Sequence, residues 1–319
     1  MKLGYQLIRM ITLLFAVTMV TFLLAAMSPI DPLKTNVGQT ALGSMSEQQI
    51  QKVKEYWGVD KPPLKRYFAW AKEALKGNMG ISLLYRQDVT KIIWEKLKNS
   101  IILMGTAWIL SGLFGVALGV LAAVKRETWV DKIIKSYCFL IASTPGFWMG
   151  ILLIIIFSVW LNWFPIGLSV PIGMDMAEVT ILDRIRHAVL PTVTLSVLGV
   201  ANIALHTREK MIDVMQSDYV LFARARGESD WEIIKWHGLR NILLPVITLQ
   251  FASISEIVGG TVLIEQTFSY PGLGQAAVIA GLGSDMPLLM GITIVSASLV
   301  FVGNFIANVL YHVIDPRIR

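Results

Sequence analysis

The ionisable side chains of this sequence do not assemble into a reaction centre. Its four histidines, His187, His206, His237 and His312, are scattered and show no metal-ligand spacing. No GxxxxGK(S/T) loop is present to cradle phosphates, so any nucleoside triphosphate has to be handled by another chain. No nucleophile stands with a base, and the single cysteine, Cys138, lies in an apolar run and reads as a buried free thiol. The residues that stand out do so by their setting. Glu256, with Ser253 and Ser255 beside it, falls inside a long apolar run, where an ionised carboxylate facing lipid is costly. Asn304 and Asn308 are four apart on one face of another such run. Polar groups there either line a wetted path for a soluble solute or bond helix to helix. Ser253, Glu256, Asn304 and Asn308 are therefore the candidate pathway residues.

The elements that carry them are set by composition. The chain is 55% hydrophobic and 16% charged, with a mean hydropathy of +0.61. Too little polar surface remains for a water-soluble fold. Runs at 10–28, 101–124, 133–161, 188–205, 242–264 and 287–313 are long enough to cross a bilayer, which takes about 20 apolar residues. The expected fold is an all-α integral membrane protein with six transmembrane helices. The first run resembles a signal peptide but has no convincing small-residue cleavage site, so it reads as a retained helix. Ser111, Gly115 and Gly119 recur every four residues, as do Gly146 and Gly150, which suits close helix packing. Gly259–Gly260 is a candidate hinge, and Pro145, Pro191 and Pro245 are expected to kink or begin spans.

Charge sets the expected orientation. Lys125, Arg126, Lys132 and Lys135 follow the second run; Arg208, Lys210, Arg224, Arg226, Lys235 and Arg240 follow the fourth. With six spans these share one side with Lys2, Arg9, Arg317 and Arg319, and the positive-inside rule makes that side the cytoplasm. The net charge of +6 is thus assigned to cytoplasmic loops and not to nucleic-acid binding. The external loop over 29–100 is also rich in Lys, but long segments translocate largely regardless of charge.

That external loop predicts short helices. Ser46 and Gln49 have the spacing of a capping box, with Gly58 as the stop. After Lys61-Pro62-Pro63, an amphipathic helix places Leu64, Tyr67, Phe68, Ala71 and Leu75 on one face, and Gly77 ends it. Such helices could lie on the membrane surface, cap the outer mouth of a pathway or form a purely structural lid.

Between the fourth and fifth runs lies DYVLFARARGESDWEIIKWHGLRNILLP, starting at Asp218. The pattern predicts a helix over 219–225, a break at Gly227, a cap at Ser229 or Asp230, and a second helix over 231–238. Leu243, Leu244 and Pro245 lead back into the membrane. This is either an ordinary interfacial loop or an elbow that a soluble partner grips.

The segment resembles the cytoplasmic coupling motif of ABC importer permeases: Ala223, Ala225 and Gly227, then Leu244 and Pro245. The long interval from Gly227 to Pro245 is similar to the peptide and nickel branch. YWGVDKPPLKRYFAW, GNMGISL, FSYPGLGQ and the terminal DPRIR agree with it along the whole chain. SDM at 284–286 departs from the usual charged-Asp-aromatic triplet, and the coupling motif lacks an acidic residue at its start.

The resemblance implies a type I ABC importer permease architecture. It implies residues 1–28 as N-terminus and first span, 29–100 as external loop, and 101–319 as a five-helix core with the coupling loop over 207–241. It implies Ala223, Ala225, Gly227, Glu228, Ser229 and Asp230 as the ATPase-coupling set. The partners it implies are a second homologous permease subunit, two ABC ATPases holding ATP and Mg, an extracytoplasmic binding protein and membrane lipid. No cofactor belongs to this chain. Alternating access would move peptides or, alternatively, nickel or a metal chelate. A secondary transporter would need its own coupling-ion site and often shows inverted repeats, and neither is visible. A channel would need a filter-like loop, for which FSYPGLGQ is the one external glycine-rich candidate. At the elbow, Glu228 and Asp230 are expected to face basic groups of the ATPase, with steric fit at Gly227 mattering more than their charge.

Overall fold

The computed structural model describes residues 3–28, 35–36, 45–51, 62–174 and 178–314. Gly58, most of YWGVDKPP and the terminal DPRIR lie outside them. Backbone polar groups cannot go unpaired in hydrocarbon, and helices satisfy them internally. Among the described residues the regular structure is accordingly helical, apart from one antiparallel bridge between Ile81 and Asp88. The helices are α1 (Leu3–Ala26), α2 (Pro63–Ala74), α3 (Val89–Val124), α4 (Trp129–Ala142), α5 (Gly146–Trp160), α6 (Ile181–Met215), α7 (Asp218–Ala225), α8 (Asp230–Ala252), α9 (Ile254–Thr267), α10 (Leu273–Leu282) and α11 (Met286–Ile314).

Within α1, α3, α6 and α11 lie stretches long and apolar enough to cross a membrane. Two bent pairs, α4 with α5 at 106° and α8 with α9 at 44°, are long and apolar enough only when each is taken together. Counting each pair as one gives six, in line with the six apolar runs. The bends have separate causes. Pro145 breaks the first pair, because it lacks an N–H and disfavours helical backbone in Thr144. The hydroxyls of Ser143 and Thr144 donate to the carbonyls of Phe139 and Leu140 at the helix end. The second bend lies at Ser253. Its Oγ donates to the Gln250 carbonyl at 2.8 Å, and Trp108 Nε1 donates to the same oxygen at 2.7 Å. Side-chain donors inserted into the backbone ladder bend helices. Gly259 and Gly260, the expected hinge, sit unbroken inside α9. Pro191 and Pro245 likewise lie inside continuous helices.

The chain forms two compact units, 1–100 with 271–299 and 101–270 with 300–319. Helix α3 starts at Val89, inside the segment read as external loop, and the stretch 271–299 joins the first unit.

In the first unit, three motifs that looked separate in sequence meet. Asp285, fully buried, caps α11 by accepting from Leu288 N at 3.2 Å. It also accepts from Ser82 Oγ at 2.5 Å and Leu84 N at 3.1 Å. The GNMGISL and SDM segments are thereby tied together. Ser100 Oγ accepts from Leu273 N at 2.8 Å, and Asn99 donates to the Pro271 carbonyl at 2.9 Å, which secures FSYPGLGQ to the start of α3. Val89, Ile92 and Ile93 pack against Leu273, Ala276, Ala280, Leu288 and Ile292.

Helix α2 lies against α1. Tyr67 is buried beside Phe22 and its hydroxyl pairs with Thr18 Oγ1 at 2.9 Å. Its buried side is Tyr67, Trp70 and Ala71, whereas Leu64, Phe68 and Leu75 are exposed. The expected apolar face is therefore rotated, because the contact with α1 selects the aromatic residues nearest Phe22. Gly77 ends α2 with φ +88. The Ser46–Gln49 capping box forms in both directions, at 2.8 and 3.3 Å.

In the second unit the small-residue stripes do pack. A Cβ on Gly115 would lie 2.7 Å from Ile203, one on Gly119 2.6 Å from Thr207, and one on Gly199 2.8 Å from Ser111. This seats α3 directly on α6. Gly146 and Gly150 admit Leu198 and Phe268 in the same way.

Candidate functional site

The elbow is built from the local sequence. Helix α7 ends because Gly227 takes φ +85, a backbone conformation that disfavours any Cβ. Gly227 N then donates to the Arg224 carbonyl at 3.0 Å, and Glu228 N to the Ala223 carbonyl at 3.2 Å, closing the helix end. Two residues after Gly227 the next helix begins. Ser229 Oγ accepts from Glu232 N at 3.4 Å, and the Glu232 carboxylate accepts from Ser229 N at 2.8 Å. Ser229, not Asp230, is therefore the cap.

The second arm differs from the separate helix expected over 231–238. An i→i+5 turn over Ile233–Gly238 carries the chain on without a stop, so Asp230–Ala252 is one continuous rod leading into the bend at Ser253. Gly238 does not end it, because that residue keeps right-handed helical backbone and packs on Met211.

The faces of α7 divide sharply. Val220 and Ala223 are buried on Ile233, with Val214 and Met215 beside them. Leu221 and Phe222 are 67% and 65% exposed, and on the second arm Trp231 and Trp236 are 69% and 61% exposed. Basic groups interleave with them: Arg224 and Arg226 are exposed, and Lys235 Nζ lies 4.9 Å from the centre of the Trp236 ring.

Among the coupling candidates, Ala223 is buried, whereas Ala225, Gly227, Ser229 and Asp230 are exposed. Among the described residues nothing lies within 4 Å of a Cβ built on Gly227, so there the glycine answers to its φ and not to crowding. Glu228 is not turned outward as expected. Its carboxylate meets His237 Nε2 at 3.0 Å and Arg226 at 3.2 Å. Asp230 remains outward, with Arg224 at 3.9 Å.

The pathway candidates separate as well. Ser253 is buried and its hydroxyl is committed to its own helix. Glu256 is exposed in the first turn of α9, and no hydrogen bond or ion pair holds it among the described residues. Asn304 and Asn308 share the exposed side of α11. Next to each of them in sequence, Gly303 and Ala307 face inward, and Gly303 lies against Ile254, two residues before Glu256. Glu256 and Asn304 thus adjoin the same α9–α11 contact.

One feature of α4 and α6 escaped the sequence reading. Asp131, fully buried, accepts from Arg208 Nε at 2.6 Å and Nη2 at 2.8 Å, and from Glu127 N at 3.0 Å, with Lys135 at 3.5 Å. This bidentate pair joins α4 to α6. The available signal was a lone aspartate in a basic stretch, which the charge count had used only for orientation.

Long apolar helices, two bent helix pairs and an exposed helical elbow make this a helical protein built to cross a membrane. The chain belongs to the family of binding-protein-dependent transport system inner membrane components, whose profile matches residues 115–319. It is 35% identical over 312 residues to the oligopeptide transport system permease protein AppB of Bacillus subtilis, covering 97% of this chain and 96% of that one. It is 32% identical over 321 residues to the di/tripeptide transport system permease protein DppB of Pseudomonas aeruginosa, covering 96% and 94%. The fold is similar to that of the inward-facing methionine ABC transporter MetNI. The TM-score there is 0.59 at 14% identity, covering 71% of this chain and 97% of that one. The protein is therefore a permease subunit of the ABC importer class, located in the inner membrane.

Proposed function

We propose that this chain carries peptides across the membrane as one half of a translocation pathway. A second homologous permease subunit completes the pathway. Two ATPase subunits, holding ATP and Mg, grip the elbows, and an extracytoplasmic binding protein delivers cargo. Both termini and residues 207–241 lie in the cytoplasm.

One observation carries the coupling reading: the elbow exposes Leu221, Phe222, Trp231 and Trp236 beside Arg224 and Arg226. Large apolar side chains gathered on a polar segment mark a surface that another protein covers. Beneath them, Val220, Ala223 and Ile233 form a packed layer that passes displacement of α7 into α8. ATP binding draws the ATPases together, and the elbows follow. The inner mouth closes and the outer mouth opens to the binding protein; hydrolysis reverses the cycle. The peptide assignment is supported by the names of the oligopeptide and di/tripeptide relatives.

The test is mass spectrometry of cargo eluted from the cognate binding protein, joined to uptake in energy-depleted cells. Peptides on the binding protein and uptake that fails with ATP are expected. A metal chelate as cargo, or uptake that survives ATP loss and collapses with the ion gradient, would contradict the reading.

A further inference from the structure

The contact between Glu228 and His237 has no place in the coupling scheme as read from the sequence, which turned Glu228 toward a partner. Glu228 lies in the short joint between α7 and α8, immediately after the left-handed Gly227. A joint of this kind is the weakest part of a lever, because few backbone bonds cross it. Glu228 Oε2 lies 3.0 Å from His237 Nε2, nine residues along. A carboxylate only accepts, so the imidazole Nε2–H is the donor. The pair is partly shielded, with the Glu228 side chain 20% and the His237 side chain 34% exposed.

His237 touches both arms of the elbow. It belongs to α8, and its ring lies 6.3 Å, centre to centre, from Tyr219 on α7. It sits in the i→i+5 turn over Ile233–Gly238, a geometry that re-aims side chains and recurs at functional sites. The turn is itself anchored. Gly238 packs on Met211, and the His237 carbonyl accepts from Asn241 Nδ2 at 2.7 Å. Arg226, at 3.2 Å from Glu228 Oε1, holds the carboxylate from the other side.

We infer that Glu228 and His237 are positioning residues for transport: their hydrogen bond braces the Gly227 joint, so that movement imposed on α7 turns α8 instead of flexing the elbow. The inference rests on the coupling reading of the elbow. The brace keeps the angle between the arms fixed while the Val220–Ala223–Ile233 layer carries the load. Without it the ATPases still move α7, but part of that motion is lost at Gly227.

The test uses the full complex in proteoliposomes, with the cognate binding protein and a carbon-14-labelled casein-digest peptide pool as probe. The readout is peptide taken up per ATP hydrolysed. Glu228→Ala and His237→Ala should each lower this ratio about fivefold, at the lower end of typical coupling effects. The double variant should fall no further than either single one, because both remove the same bond. Glu228→Gln keeps an acceptor oxygen and should restore most of the ratio, which general destabilisation would not allow. A wild-type ratio in either alanine variant, losses that multiply in the double, or failure of Glu228→Gln to recover would overturn the brace. Phe222→Glu, on the outer face, separates the two claims. If it abolishes uptake while the brace variants behave as wild type, the brace alone fails. If it leaves uptake intact, the coupling reading fails and the brace with it.

Discussion

The knot around Asp285 and the elbow around Gly227 both come from short, recognisable motifs, yet they are finished in opposite ways. Asp285 is sealed. Its two oxygens take up Ser82 Oγ, Leu84 N and Leu288 N, and none of its side chain reaches the surface. The elbow satisfies its backbone just as fully, through the turn at Gly227 and the Ser229 capping box, but leaves Leu221, Phe222, Trp231 and Trp236 uncovered. A motif that closes on itself serves stability. A motif with paired polar groups and uncovered apolar side chains awaits a partner. Substitutions in the first should therefore act on folding, and substitutions in the second on transport by an intact complex.

The largest effect is expected at the sealed knot. Asp285→Leu strips the acceptor from two backbone amides and the Ser82 hydroxyl, and each orphaned buried donor costs about 1–3 kcal/mol. The expected outcome is loss of assembled protein, seen as a collapsed yield and a lowered Tm of the detergent-solubilised complex. Normal assembly would erase the contrast between the two regions.

Next comes Gly227→Trp. The φ of +85 makes any Cβ strained, by roughly 1–2 kcal/mol, and the indole adds bulk on the partner side. The permease should still insert and pair, while uptake and stimulated ATP hydrolysis are lost. Gly227→Asn, which tolerates this backbone, should retain far more of both. ATPase stimulation by loaded binding protein checks the pair of variants. Equal loss in both would mean that close approach of the partner, and not backbone conformation, demands the glycine.

Glu256→Leu should reduce peptide uptake several-fold while the complex still assembles, because the carboxylate is exposed and no hydrogen bond or ion pair holds it among the described residues. Loss of assembly instead would make Glu256 a structural contact with the second subunit. The smallest effect belongs to a cap that serves only its own helix. Ser46→Ala removes one side of the capping box, worth about 1 kcal/mol. Amide exchange at Gln49 should quicken with uptake unchanged.

Local chemistry was legible in the sequence, and long-range pairing was not. The left-handed Gly227, the Ser46–Gln49 box and the stripe of Ser111, Gly115 and Gly119 each follow from a residue's own conformational limits or size. Six apolar runs marked the spans, but their ends were misjudged where helices continue through polar residues. Lys91, Glu95, Lys96 and Lys98 interrupt the hydrophobicity of α3 without breaking its backbone, so the run looked twelve residues shorter than the helix. The unbroken passage through Gly238 was missed for a related reason: glycine permits a stop, and only packing on Met211 decides against one. Pairing beyond the reach of local sequence patterns hid the contacts of Glu228 at the elbow, and of Asp131 and Asp285 away from it. Their partners stand nine, 77 and 203 residues away.

The central claim is that the uncovered face of the elbow is where the ATPase holds this permease. Site-specific photo-crosslinking from position 222 in the fully assembled, transport-competent complex tests it most directly. Phe222 is exposed, so the probe reaches outward from the elbow. The account predicts an adduct between position 222 and an ATPase subunit, and none between the ATPase and a probe at the still more exposed Leu75 of the first unit. Adducts from position 222 only with lipid or the second permease, in a complex that still imports peptide, would contradict it.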